Sequence, residues 1–251
     1  MQEYVKITSK EGIGTIEFFH PQSNSLPGHI LAELAETITQ AGLDEEIKVI
    51  VLKSAGERAF CAGASFDELI AIKDENTGKK FFSGFANVIN AARKCPKFII
   101  GRAQGKAVGG GVGMVAATDY CFATQFSAIK LSELAIGIGP FVVGPAVERK
   151  VGTSAFSAMT INATKWFDAN WAREKGLFTE VFDSAKEMDL EIEKLASILS
   201  KSNPEAMQGL KQIMWKGTDH WDELLIERAE SSGKLVLSDF TKKAIEKFKS
   251  S

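Results

Sequence analysis

Gly109-Gly110-Gly111 stands between an apolar run at residues 98–100 and a second one at 112–117, and residues 49–52 lead in the same way into Ala59-Phe60-Cys61-Ala62-Gly63-Ala64-Ser65. This spacing predicts two strand–glycine–helix junctions. Glycine has no Cβ, so each junction brings bare backbone N–H groups to a helix start, where the dipole favours negative charge. Two such donors aimed at one oxygen form an oxyanion hole, a site that stabilises charge developing on a carbonyl.

The surrounding pattern favours an α/β fold with a parallel sheet. Residues 4–8 and 13–18 alternate around Glu11-Gly12 and read as a hairpin. Apolar spacing predicts helices over 27–43, 66–72 and 78–92, and strands over 47–52, 98–100, 119–123 and 128–131. After Pro140 the pattern becomes helical, at 142–150, 154–161, 165–175, 188–200, 204–216, 221–236 and 240–249, with one strand at 178–181. Alternation of strand and helix favours parallel pairing. With 251 residues, 45% of them hydrophobic, one catalytic domain over 1–251 is expected, with a core over 1–200 and C-terminal helices over 201–251.

A formal charge of −2 gives no bulk reason to bind nucleic acid. Cys61, Cys95 and Cys121 lie far apart, with no CxxC and no nearby histidine, so neither a disulfide framework nor a metal site is expected. No apolar run approaches the roughly 20 residues of a membrane helix. The N-terminus lacks a signal-peptide pattern, which makes the cytoplasm the expected location. Two other glycine motifs are set aside. The stretch from Gly101 to Ala107 has one spacer too few for a phosphate loop and no hydroxyl for magnesium. Gly111-x-Gly113-x-x-Ala116 fits a dinucleotide spacing, but residues 104–110 separate it from its strand.

Taken in order, residues 59–69, 105–119 and Ser132-Glu133 resemble the crotonase superfamily of enoyl-CoA hydratases and isomerases. The first is similar to AF-x-AGAD, with Ser65 for Asp, and the second to NGxAxGGG, with Gln104 for Asn. The resemblance implies a spiral of repeated ββα turns with a C-terminal helical region, an acyl-CoA substrate, no separate cofactor, and a homo-oligomer, commonly a trimer or a pair of trimers. It makes the N–H groups of Ala64 and Gly110 the oxyanion donors and Glu133 the proton-transfer residue. Ala62, Phe66 and Gly109 would border the substrate with Asn24-Ser25-Leu26, and Phe240, Lys243 and Lys247 would contact adenine and its phosphates.

Glu133 matches the second of two hydratase glutamates, whereas the first falls at Gly113, which has no side chain. A single base suits a double-bond shift, with the proton taken from one carbon and returned to another. Gly137-Ile138-Gly139-Pro140-Phe141 resembles isomerase loops, with Phe141 an apolar wall. Asp67, Glu68 and Glu148 are the candidates for a replacement acid that would restore hydration, and Phe81, Phe82 and Phe85 for an acyl tunnel. His20, His29 and His220 lie outside the matched motifs and receive no catalytic role.

Overall fold

A computed structural model describes residues 2–249; residues 1, 250 and 251, the ends of the expected 1–251 domain, lie outside the described residues. In chain order the elements are β1 (Tyr4–Lys10), β2 (Ile13–Phe19), β3 (Ser25–Leu26), α1 (Gly28–Leu43), β4 (Val49–Ser54), β5 (Ala59–Cys61), β6 (Gly63–Ala64), α2 (Phe66–Ala71) and α3 (Glu75–Lys94). There follow β7 (Ile99–Ala103), β8 (Lys106–Val108), α4 (Gly110–Ala117), β9 (Tyr120–Thr124), β10 (Ala128–Lys130) and a 3-10 turn at Glu133–Ile136. The remainder is α5 (Gly144–Ile161), β11 (Phe167–Asp168), α6 (Ala169–Glu174), β12 (Glu180–Phe182), α7 (Ala185–Leu199), α8 (Pro204–Met214), α9 (Trp221–Leu235) and α10 (Asp239–Lys249).

The larger sheet has the order β1-β2-β4-β7-β9-β12, antiparallel only between β1 and β2. Its centre explains the unbroken apolar run of β4. Ile50 and Leu52 join the main core, while Val49 and Val51 pack on the other face with Ile100, Phe122 and, from α7, Met188 and Ile192. A strand covered on both faces has no polar side to alternate with. A second sheet, β11-β10-β8-β5, and the short pair β3-β6 hold the two glycine junctions together.

The hairpin turn is where expected, with Glu11 at φ 51° and Gly12 at φ 80°. Helix α3 starts three residues before its expected beginning because Asp74 and Thr77 form a reciprocal capping box. The two helices expected over 142–161 form one run broken by Gly152 at φ 76°. The helix expected over 165–175 is corrected: Phe167–Asp168 pairs with β10, and Asp168 then caps α6 by accepting the Trp171 N–H at 2.8 Å. Strands β3, β5, β6, β8 and β11, of two or three residues each, were not expected, since so short a stretch carries no readable period.

Candidate active site

The first junction runs through β5 and β6 into α2. Gly63 adopts φ 98°, and a Cβ there would lie 3.3 Å from the Val108 carbonyl oxygen. Ser65, the departure from the motif's Asp, caps α2 by accepting the Glu68 N–H at 3.3 Å. Ser65 N–H donates to Leu26 O at 2.9 Å, so in this parallel pair the ladder bonds pass on either side of Ala64. The Ala64 N–H is thereby turned away from β3, and Ala64 borders the main cavity. Gln104, the departure from the second motif's Asn, donates from its buried amide to Ser54 Oγ at 2.9 Å and Gly56 O at 3.1 Å, fixing the loop that leads into β5.

At the second junction Gly109, at φ 52°, donates its N–H to Lys130 O at 2.9 Å and turns β8 into α4. Close approach explains the next two glycines. A Cβ on Gly110 would lie 2.3 Å from the Phe85 ring, and one on Gly111 would lie 2.5 Å from Cys61 O. The start of α4 therefore rests on the backbone of β5, which brings the two junctions to one cavity wall. At the first position of α4, the Gly110 N–H has no partner four residues back, and Gly110 borders the same cavity as Ala64.

Glu133 opens the 3-10 turn, which Gly137 ends at φ 84°. Its side chain lies against Gly109, where a Cβ would stand 2.9 Å from Glu133 Oε1. Its Oε2 is buried without a hydrogen-bond partner. Burial pushes the carboxyl up from 4.5 to about 7, only partly offset by its own backbone N–H. An orphaned buried oxygen in a cavity wall, on a group poised near neutrality, fits a proton carrier.

The cavity holds about 650 Å³ and is mainly apolar, walled by Phe81, Phe82, Phe85, Phe141, Val142 and Val143. Among the described residues that line it, Glu133 is the single carboxylate. Gly113, where the resemblance puts a hydratase's first glutamate, has no room for a side chain: a Cβ there would meet Val143 Cγ1 at 2.5 Å and Ile89 Cδ1 at 3.2 Å. None of the three candidate replacement acids borders the cavity. Glu68 turns to the start of α1 and accepts the Gly28 N–H at 2.8 Å, Glu148 accepts the Thr153 hydroxyl at 2.7 Å, and Asp67 reaches Gln22 at 3.4 Å.

Ala62, Ala64, Phe66, Gly109, Gly110, Glu133, Phe141 and Lys247 all border this cavity, as does Ser25. Phe240 and Lys243 lie outside its lining. Phe240 lies against Gly137, where a Cβ would be 2.5 Å from its ring, and is 69% exposed. The sequence reading missed Val143 and Lys130, since both reach the cavity through long-range packing that no local pattern announces. Cys61 and Cys121 are buried and pushed up to about 12, so they are inert thiols. His20 and His29 both meet Glu3, at 3.0 and 2.8 Å, away from the cavity. No group of His, Cys, Asp and Glu among the described residues is arranged for a metal ion, and no helix there is long and apolar enough to cross a membrane.

The sequence matches the enoyl-CoA hydratase/isomerase family model over residues 8–249. It is 29% identical over 219 residues to the bacillaene synthase dehydratase PksH of Bacillus subtilis (strain 168), covering 86% of this chain and 82% of that protein. It is 25% identical over 211 residues to the peroxisomal Delta(3,5)-Delta(2,4)-dienoyl-CoA isomerase of Arabidopsis thaliana, covering 78% of this chain and 74% of that one. Its fold is similar to that of an enoyl-CoA hydratase from Bacillus halodurans, with a TM-score of 0.90 and 20% identity over 97% of this chain and 99% of the other. With both glycine junctions and Glu133 on one cavity and the family pattern running through nearly the whole sequence, the chain belongs to the enoyl-CoA hydratase/isomerase family.

Proposed function

We propose that the protein is an enoyl-CoA isomerase that converts a 3-enoyl-CoA into the 2-enoyl-CoA with Glu133 as its one base. The observation that carries this reading is that Glu133 is the single carboxylate on the cavity among the described residues, with Val143 packed where a second acid would stand. Ionised Glu133 takes a proton from C2, and the electron pair moves onto the thioester oxygen, which the N–H groups of Ala64 and Gly110 hold. The protonated carboxyl then returns the proton to C4 as the double bond forms between C2 and C3. Nothing is added or lost, and Glu133 ends ionised. Loss of one oxyanion donor would cost about 3–4 kcal/mol of transition-state stabilisation. The apolar wall suits this chemistry, because water near the dienolate would offer a competing proton.

The runner-up is hydration or dehydration, favoured by relatives with dehydratase names, such as PksH and the carnitinyl-CoA dehydratase of Proteus mirabilis (strain HI4320). It requires a group other than Glu133 to position water. A third reading, an acyl-CoA-binding protein without turnover, predicts binding alone. In all three cases acyl-CoA enters as the ligand and no separate cofactor is needed; a cytoplasmic trimer or pair of trimers is the assembly proposed. The experiment mixes purified protein with 3-hexenoyl-CoA and, separately, 2-hexenoyl-CoA, and follows mass and enoyl-thioester absorbance, with Glu133→Gln in parallel. A double-bond shift without mass change, reduced about 10²–10⁴-fold in the variant, is the expected result. Gain of one water would move the assignment to hydratase.

A further inference from the structure

Lys106 and Lys130 stand on neighbouring parallel strands, β8 and β10, and both ammonium groups lie over one indole ring. Lys106 Nζ is 4.8 Å and Lys130 Nζ 4.5 Å from the centre of Trp166. The core-facing residues between them, Ala107 and Ile129, are fully buried, so the two lysines share the outer face of the small sheet. Trp166, 39% exposed, immediately precedes β11 and lies beside Lys130 across the strand pair. Lys130 borders the cavity, and its carbonyl accepts the N–H of Gly109, the residue next to the proposed oxyanion donor Gly110.

Neither ammonium has a carboxylate partner among the described residues. Asp168 shares the sheet face, but its carboxylate accepts the Trp171 N–H as the cap of α6. Elsewhere the chain supplies the anion itself: Lys6 and Lys53 converge on Glu17 at 2.6 and 2.8 Å. A cation over an exposed ring gains only modest attraction, and a second one over the same ring adds repulsion that an anion between them would relieve.

We propose that Lys106, Lys130 and Trp166 form an anion site on the cavity rim that takes a carboxylate or phosphate oxygen of the thioester ligand. A carboxylate would come from the far end of the acyl chain, and a phosphate from the carrier arm of CoA. The site rests on the acyl-CoA reading of the cavity, and it selects among ligands without joining the proton transfer.

The test is calorimetric binding of valeryl-CoA, glutaryl-CoA and valeryl-pantetheine to the wild-type protein and to Lys106→Gln/Lys130→Gln, with Lys106→Arg/Lys130→Arg as the charge-preserving control. A carboxylate site predicts at least tenfold weaker glutaryl-CoA binding in the Gln variant, with valeryl-CoA unchanged. A phosphate site predicts the same loss for both CoA esters and none for valeryl-pantetheine. In either case the Arg variant regains most of the affinity, and the loss shrinks at high salt. If all three dissociation constants stay within twofold in the Gln variant, the proposal is wrong. Should that variant not fold, exposed Lys106→Gln alone carries the comparison. Because binding is the readout, tight binding without turnover of 3-hexenoyl-CoA would sink the isomerase reading and leave this one decided separately.

Discussion

Glu133 turns its proposed role into a stability cost with a definite sign. Its carboxyl is pushed up from 4.5 to about 7 in the folded chain, so the folded state holds the proton more tightly than the unfolded one. Stability from this group is therefore greatest below about 4.5, falls as pH rises towards 7, and is flat above, the reverse of a carboxylate stabilised by a cation. At about 1.4 kcal/mol per pKa unit the cost reaches about 3 kcal/mol at pH 8. Glu133→Gln removes the charge while keeping the shape. It should be about 2–3 kcal/mol more stable than wild type at pH 8 and nearly equal at pH 4.5, measured by urea unfolding. Equal differences at the two pH values would show that the carboxyl is not held in a desolvating pocket. The same ionisation predicts that kcat/KM for isomerisation climbs with pH through about 7, because the base must be ionised before it takes a proton. Gln is then a gain in stability and a loss in turnover, the usual exchange at a strained site.

Helices α3 and α9 set the position of the cavity's aromatic wall. They cross where Gly78 meets Gly233: a Cβ on Gly78 would lie 2.8 Å from the Gly233 Cα, and one on Gly233 would lie 2.7 Å from Lys79 N. These are backbone atoms and cannot turn aside as a side chain would. Gly78→Ala should therefore cost about 1–3 kcal/mol, despite alanine's better helix propensity, and lower the urea midpoint without changing the slope. A neutral or stabilising effect would mean that the crossing is looser than this spacing requires. Because Phe81, Phe82 and Phe85 sit on α3 and line the cavity, the same variant should raise KM for the acyl-CoA. The long amphipathic helices were legible in the sequence because their apolar period repeats over several turns, and both glycine junctions were legible from their composition. Gly113 read as a position without an acid, but nothing near it in sequence says that Val143 packs against it. Phe240 read as a ligand contact because its helix is basic and terminal; its ring lies against Gly137 and stays 69% exposed, a long-range neighbour that its own segment does not announce. What failed to show in the sequence was fixed by partners far along the chain.

At the scale of the whole molecule, one buried polar clasp ties the C-terminal helices to the main sheet. Asp119, just before β9, accepts the Ile99 N–H from β7, the Lys211 ammonium from α8 and the Trp215 indole N–H just beyond it, each at 2.8 Å. The side chains of Lys211 and Asp119 are 3% and 4% exposed. Lys211 also donates to Lys97 O at 2.7 Å, so three chain segments meet at two charges. Trp215 in turn packs edge-on against Trp221, which opens α9. Sheet, α8 and α9 thus form one mechanical path, and α9 braces α3 behind the phenylalanine wall. Breaking a buried pair from one side costs more than the pair contributes, because the remaining charge stays in a poor solvent. Lys211→Met, which keeps the aliphatic stem, should destabilise the protein by about 3–5 kcal/mol, and the loss should change little between low and high salt because water does not reach the pair. Replacing both partners, Asp119→Asn with Lys211→Met, should recover part of that loss, since the buried carboxylate is no longer left without its ammonium partner. Urea unfolding of the four proteins gives the coupling directly. Strict additivity of the two substitutions would mean that Asp119 and Lys211 act separately, each through its other partners.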